Sequence, residues 1–171
     1  MFRALAISLF ALLSPVLLSC EKVPDVTIPD TSEEKQEEND KSSGDKDDDT
    51  AMPKQIKITV SGKSLPVIIE ENEATKALVA SLREASITYE ADDYGGFEKV
   101  GSLGRSLPTS NSQITTQAGD VILYNGNQLV LFYGSNSWSY TRIGRMEYGT
   151  LDELKSFLKA GQGKITVTMS L

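Results

Sequence analysis

Residues 121–133, VILYNGNQLVLFY, contain the clearest local structural signal in this chain of 171 residues. Two apolar runs flank Asn125, Gly126 and Asn127, and an Asn-Gly pair between hydrophobic runs is typical of a tight β-hairpin turn. Both runs are apolar at successive positions, so we expect both faces of the hairpin to be covered. The sequence therefore predicts a hairpin that is buried on both sides.

The two ends of the folded region also have strand patterns. Residues 55–60 and 164–169 alternate apolar and polar side chains, which predicts strands with one buried face. Pro66 places the strand that follows the first one at an edge or a bulge. The likeness of the first and last patterns indicates that these strands lie together and close a barrel, because closure removes exposed sheet edges.

Two short helices are expected between the strands. Asn72 is a suitable N-cap for a helix over residues 73–84, which has an apolar stripe. Thr150 and Glu153 form a capping box that opens a second helix. Residues 92–119 are rich in Gly, Ser, Thr and Asn and are expected to be mainly loops. The fold class predicted is mainly β, a closed barrel with two short helices.

The first twenty residues have the pattern of a secretory signal. Arg3 precedes an apolar run of about 15 residues, shorter than the roughly 20 residues of a membrane-spanning helix. Residues 17–20, LLSC, are similar to a bacterial lipobox, in which the cysteine is acylated and the leader is cut before it. We therefore predict a lipoprotein signal peptide over residues 1–19 and a lipidated Cys20. An ordinary signal peptide with a chance cysteine is the alternative.

Residues 20–53 differ in composition from the rest of the chain. Residues 21–53 carry 12 acidic and 4 basic side chains, and residues 33–51 contain no branched aliphatic or aromatic residue. Such a segment has too little apolar surface to offset its ordering entropy, and its like charges repel one another. We predict a disordered acidic tether over residues 20–53, followed by a folded domain over residues 54–171.

The residue inventory excludes several classes of function. Residues 54–171 carry 12 basic and 12 acidic side chains, so the folded part lacks the basic surface that nucleic acids require. The chain has no histidine and one cysteine, which excludes histidine-based triads, imidazole metal sites and thiolate zinc clusters within it. We therefore expect no catalytic residue, no metal, no cofactor and no nucleic-acid partner.

The span from Tyr89 to Arg145 resembles bacterial cyclophilin-like domains. The resemblance rests on DYGGF at 93–97, LGRSLP at 103–108, AGDVILY at 118–124 and FYGSNSWSYTRIGR at 132–145. It implies a compact β-barrel with two helices over most of residues 54–171. It does not imply prolyl isomerase activity, because the Phe-His-Arg and Gln-Phe-Phe segments of true prolyl isomerases do not occur in the chain.

A candidate ligand site lies on the predicted strand around Trp138. Side chains alternate across a strand, so Trp138, Tyr140 and Arg142 share one face. Two aromatic rings and a guanidinium form a floor suited to a ligand. Phe97 and Arg105 are further candidates, for an apolar and a hydrogen-bonding contact. In the alternative interpretation Trp138 and Tyr140 plug a barrel end, and Arg142 pairs with a nearby acid.

Two other motifs have a functional and a structural interpretation. Asp92 and Asp93, with Glu90 or Glu98, have the residue types of paired catalytic carboxylates or of a calcium site. Adjacent acids on an exposed turn rarely converge, so we expect solvated loop acids. Residues 101–106, GSLGRS, offer backbone amides to an anion, but we expect a plain turn there.

The sequence thus predicts a protein anchored by lipid to a membrane of the bacterial cell envelope, inner or outer. An acidic tether carries a cyclophilin-like binding or interaction module for an unidentified peptide, protein or small molecule. One alternative is a peptidyl-prolyl isomerase with an atypical pocket built on Arg142, Trp138 and Phe97. Another is a structural envelope component that uses an exposed strand edge. The oligomeric state is left open.

Overall fold

A computed structural model describes residues 51–171 of the chain. The predicted signal peptide, Cys20 and nearly all of the predicted tether lie outside the described residues. Within residues 51–171, none of the helices has the length and apolar character needed to cross a bilayer.

The described part contains nine strands and two helices. In chain order they are β1 (Gln55–Val60), β2 (Lys63–Ile69), α1 (Glu73–Glu84), β3 (Ile87–Tyr94), β4 (Glu98–Ser102), β5 (Ser112–Thr115), β6 (Asp120–Tyr124), β7 (Gln128–Phe132), β8 (Ser137–Met146), α2 (Leu151–Phe157) and β9 (Ile165–Ser170). Eight strands form an antiparallel barrel in the order β2-β1-β9-β3-β4-β7-β6-β8, and β8 pairs back with β2. The short β5 pairs with the first half of β8. The predicted mainly-β barrel with two helices is confirmed.

The first and last strands pair, as the sequence predicted. Ile58 of β1 lies opposite Met169 of β9. The barrel closes where residues 67–69 of β2 pair with β8. Pro66 lies one residue outside this contact, and its carbonyl oxygen accepts a hydrogen bond from the Glu147 amide at 2.9 Å. On its other side Pro66 lies opposite Lys57 of β1, so β2 is paired with both β1 and β8, and the prediction that the proline marks an edge strand is wrong.

Apolar side chains fill the barrel interior. Ile56, Ile58 and Val60 alternate along β1 and are buried, and Leu78 of α1 and Leu154 of α2 belong to the same cluster. The period of two along strands and of 3.6 along helices places these residues on one side of each element. Each such burial contributes roughly 1.5–3 kcal/mol to folding. The interior of the barrel is therefore a packed core.

The local predictions for the hairpin and the helices are confirmed. Tyr124 lies opposite Gln128 across the β6–β7 turn, where Asn125 and Gly126 have φ values of 49° and 73°. Asn72 caps α1. Thr150 and Glu153 cap α2 reciprocally, as expected of a capping box.

The prediction that residues 92–119 are mainly loops is wrong in part. β3 continues to Tyr94, and β4 and β5 lie within the segment. β4 stands in the barrel wall between β3 and β7. Its first two residues, Glu98 and Lys99, are charged yet buried, which is why composition concealed the strand.

Candidate functional site

A groove lies on the outer face of the barrel wall formed by β4, β7, β6 and β8. In β7, Leu129 and Leu131 belong to the barrel core, so Val130 between them faces outward. The outward side chains form a second buried cluster, made of Ile122, Val130, Phe132 and Tyr140. Above this cluster is a cavity of about 380 Å³, with Val100 and Val130 among its lining residues.

Four aromatic side chains, Tyr94, Tyr124, Trp138 and Tyr140, form the walls of the groove. Tyr94 and Trp138 are 67% and 56% exposed, and they mark its mouth. Tyr140 is buried and packs edge-to-face on Phe132 and Tyr124, with centroid distances of 5.9 and 6.0 Å. These contacts hold the inner rings in place before a ligand arrives.

The polar groups of the groove are few and are held in defined positions. Asn136 donates a hydrogen bond from Nδ2 to the Tyr140 hydroxyl at 2.9 Å, which leaves the hydroxyl proton for another acceptor. Burial raises the pKa of Tyr140, the Asn136 hydrogen bond opposes this rise, and the charges of Glu98 and Tyr124 add to it. Gln128 also lines the groove. The groove thus offers oriented donors and acceptors among aromatic surfaces.

Glu98, the first residue of β4, brings a buried carboxyl group to the groove. The residue is 5% exposed, and its Oε2 has no hydrogen-bond partner within the described residues. Burial raises the pKa of Glu98 to about 7, because the low-polarity surroundings disfavour the charged form. Near neutral pH the group is therefore present both as a carboxylic acid and as a carboxylate. In either form Oε2 has no partner among the described residues.

The next residue, Lys99, is occupied elsewhere. Its side chain is fully buried, its Nζ lies 2.8 Å from Asp93 Oδ2, and it donates to the carbonyl oxygen of Gly163. Asp93 also accepts hydrogen bonds from the Tyr133 hydroxyl at 2.9 Å and from the amides of Gly161 and Gly163. Burial alone would raise the pKa of Asp93, but the hydrogen bonds from Lys99, the two amides and Tyr133 outweigh it and lower the pKa to about 2. This cluster ties β3 and β4 to the segment before β9.

Arg142 belongs to a separate ion cluster. The carboxylate of Asp120 is 1% exposed and lies 3.2 Å from Arg142 Nη2 and 3.0 Å from Arg145 Nε. Glu70 lies 3.4 Å from Arg142 Nη1, and the Gln117 amide donates to Asp120. Arg142 is therefore paired with nearby acids, the arrangement that the alternative interpretation describes, and it is not among the residues that line the groove.

The five predicted ligand-binding residues are distributed over four places. Trp138 and Tyr140 line the groove. Phe97 stacks on Phe132 at a centroid distance of 6.2 Å, behind the groove. Arg142 is held in its ion cluster, and Arg105 lies in an exposed bend after β4. The structure thus brings together two of the five at one surface.

Sequence reasoning did not place Glu98, Tyr94 and Tyr124 at one site with Trp138. The expectation of solvated loop acids is wrong for Glu98, which is buried, and for Asp93, which is bound to Lys99. Tyr94 and Tyr124 end β3 and β6, and nothing in their spacing connects them to Trp138. The alternation of Glu98 and Val100 with Lys99 would have placed two side chains outward once β4 was known to be a strand.

The groove offers several groups that can contact a ligand. It combines one buried carboxyl group, a tyrosine hydroxyl, two amide side chains and aromatic faces. No group of three or more His, Cys, Asp or Glu residues that would hold a metal ion occurs within residues 51–171.

Comparison with known proteins identifies a family. Residues 58–170 match the model of the Cyclophilin-like family. No curated protein matches the chain. Among solved structures, the chain is similar to the solution structure of a hypothetical protein from Archaeoglobus fulgidus, at 17% identity and a TM-score of 0.47, over 68% of this chain and 92% of that one.

Proposed function

The chain belongs to the Cyclophilin-like family, and we propose that its barrel is a binding module that holds a ligand in the outer-face groove. The observation that carries the proposal is Glu98, whose buried Oε2 lacks a partner among the described residues and which lines the groove. A buried polar group without a partner costs folding free energy, and a bound ligand would offset that cost.

The form of the groove supports the same proposal. Its volume of about 380 Å³ lies in the range of small-molecule and side-chain pockets. Val130 and Tyr140 are fixed in a buried cluster, so the inner surface is largely formed in advance. Trp138 and Tyr94 at the mouth are exposed, so a ligand can contact both rings.

The residues available for catalysis favour binding over prolyl isomerisation. An isomerase pocket in this groove requires a hydrogen-bond donor such as a guanidinium beside the twisted amide, and Arg142, whose Nη atoms pair with Asp120 and Glu70, does not line the groove. Turnover of a proline-containing tetrapeptide that is lost in Trp138→Ala, with the fold intact, would instead favour the isomerase.

The proposal includes lipid anchoring at Cys20. It is supported by the apolar leader, the lipobox-like residues 17–20 and the acidic composition of residues 21–53. In this proposal, acyl chains on Cys20 hold the protein on a membrane of the bacterial cell envelope, and the acidic tether presents the barrel. Palmitate labelling in a bacterial host should mark the wild-type protein and not Cys20→Ala. A wild-type protein with an unmodified thiol by mass spectrometry would contradict the anchor.

Binding is tested by NMR with a fragment library that contains neutral, anionic and cationic members. We expect at least one fragment to shift the amides of Val100 and Val130 and the indole of Trp138, the one tryptophan of the chain. Tyr94→Ala should weaken this binding, whereas Leu151→Ala, an exposed residue of α2, should not. If no fragment of any class perturbs these resonances, the proposed binding function is wrong.

A further inference from the structure

We propose that the groove selects an organic cation that carries N–H donors, an alkylammonium or a guanidinium such as the end of a lysine or arginine side chain. The inference rests on the proposed binding function and adds the chemical class of the ligand. It is carried by the buried carboxyl group of Glu98, the aromatic walls and the absence of basic side chains among the described residues that line the groove.

The Glu98 carboxyl group determines the sign of the ligand charge. Its Oε2 is buried and lacks a donor among the described residues, and an N–H cation supplies both the hydrogen bond and the opposite charge. In its ionised form the same group would repel a phosphate or carboxylate ligand. A neutral apolar ligand would bury Glu98 further and leave it without a partner.

The basic side chains on the four strands of this wall pair with acids other than Glu98. Lys99 follows Glu98 in sequence, but its ammonium is bonded to Asp93 at 2.8 Å. Arg142 on β8 lies 3.2 Å from Asp120. The carboxyl group in the groove is thus left for a cation from outside.

The aromatic walls suit the same class of ligand. Tyr94, Tyr124 and Trp138 line the cavity that Glu98 also lines, and aromatic rings attract cations through their negative faces. Aromatic walls and one acid together provide the two interactions by which proteins hold ammonium and guanidinium groups. The groove contains both within one cavity.

The test titrates the full chain with matched probes at pH 8.5, where Glu98, with its pKa of about 7, is mostly ionised. The probes are the N-acetyl amides of lysine, arginine and norleucine, n-butylammonium as a free amine, and tetramethylammonium as a cation without N–H. Trp138 fluorescence reports binding. We expect lysine or arginine amide to bind about tenfold or more tightly than norleucine amide or tetramethylammonium. Comparison with n-butylammonium separates a side chain on a peptide from a free amine.

Two variants and one control test the role of Glu98. Glu98→Gln should weaken binding of the preferred cation about tenfold or more. Tyr94→Ala, at an exposed position, should weaken it about threefold without unfolding the protein. Glu90→Gln, an exposed acid on β3 that is paired with Lys164, should leave it unchanged.

Failure of this inference is distinguishable from failure of the binding function. Equal affinity for norleucine and lysine amides, or unchanged cation affinity in Glu98→Gln with the wild-type melting temperature, would overturn the cation inference while the binding function stands. The cation inference would also be overturned if the groove resonances shifted only with neutral or anionic fragments. If no probe shifts these resonances, the proposed binding function is wrong as well.

Discussion

Glu98 and Lys99 are consecutive buried charges whose surroundings differ. The ammonium of Lys99 has Asp93 and the Gly163 carbonyl oxygen as partners, so its charge is compensated within the fold. Glu98 Oε2 has no such partner among the described residues. Because side chains alternate across a strand, Lys99 pairs with Asp93 within the fold, whereas Glu98 lies on the side of the groove.

The first prediction concerns the pH dependence of stability. Burial raises the pKa of Glu98 from 4.5 to about 7, so the folded state binds this proton more tightly than the unfolded state does. The contribution of Glu98 to the free energy of unfolding should therefore be greatest below pH 4.5. It should fall by up to about 3 kcal/mol as the pH rises to 7. Urea unfolding between pH 4.5 and 8 measures the slope. In Glu98→Gln the slope should be much smaller, and an unchanged slope would contradict the assignment.

The second prediction concerns Asp93. Its pKa is lowered to about 2 from 3.8, so its contribution to stability is present above about pH 4 and is lost as pH falls toward 2. Asp93→Asn leaves the fully buried Lys99 without its counter-charge and should destabilise the protein by about 3 kcal/mol at pH 7. The measurement is urea unfolding. Asp92→Asn, the exposed neighbour, is the control and should cost much less. Equal costs would show that the buried pair contributes little.

The sequence predicts those strands, turns and helices whose formation depends on interactions between residues close together in the chain. The β6–β7 hairpin and both helix N-termini were predicted because an Asn-Gly turn and capping side chains act within a few residues. β4 was missed because its residues, EKVGS, are buried by pairing with β3 and with the more distant β7, and Lys99 is buried in an ion pair with Asp93. β5 was missed because it is short and mostly exposed. Neither strand has an apolar alternation to detect.

The residues of the candidate site also fall into two sets, those that spacing along one strand predicts and those that only strand pairing brings together. Trp138 and Tyr140 were predicted because residues two apart on one strand share a face. Glu98 and Tyr124 join them through strand pairings between β4, β7, β6 and β8, which a single sequence does not display. The positions of Arg142 and Asp120 likewise depend on the β6–β8 pairing. The groove is a product of sheet order, so its acid was found in the structure and not in the pattern.

The third prediction tests the capping box of α2. The Thr150 side chain accepts a hydrogen bond from the Glu153 amide at 3.2 Å, and the Thr150 amide donates to the Glu153 carboxylate at 2.9 Å. Thr150→Ala removes the first bond and should lower the free energy of unfolding by about 1 kcal/mol. Thermal unfolding measures the loss. Ser156→Ala, within the same helix, is the control and should be neutral or slightly stabilising. If both variants unfold alike, the cap is not stabilising.

For the whole molecule, closure of the barrel separates the core from the site. The interior belongs to one apolar cluster, and the groove belongs to a second cluster on the outer face. A change of ligand-binding residues such as Tyr94 or Trp138, both exposed, therefore leaves the core intact. Residues 54–171 carry equal numbers of acidic and basic residues, so attraction of a cation depends on Glu98 and not on the net charge of the barrel.

The last prediction concerns the seam at which the barrel closes. Gly144 of β8 lies opposite Ile69 of β2, and a Cβ atom there would lie 2.9 Å from the Ile69 Cα and against the Ile68 carbonyl oxygen. Backbone atoms cannot rotate away as a flexible side chain does, so Gly144→Ala forces the two strands apart and should destabilise the barrel by about 3 kcal/mol.

Gly62→Ala is the matched control. A Cβ there meets open space, and its φ of 77° in the β1–β2 turn should cost only about 1 kcal/mol. Urea unfolding compares the two variants. β2 and β8 are far apart in sequence, so closure of the barrel depends on their pairing. If Gly144→Ala is as stable as Gly62→Ala, this seam does not hold the barrel closed.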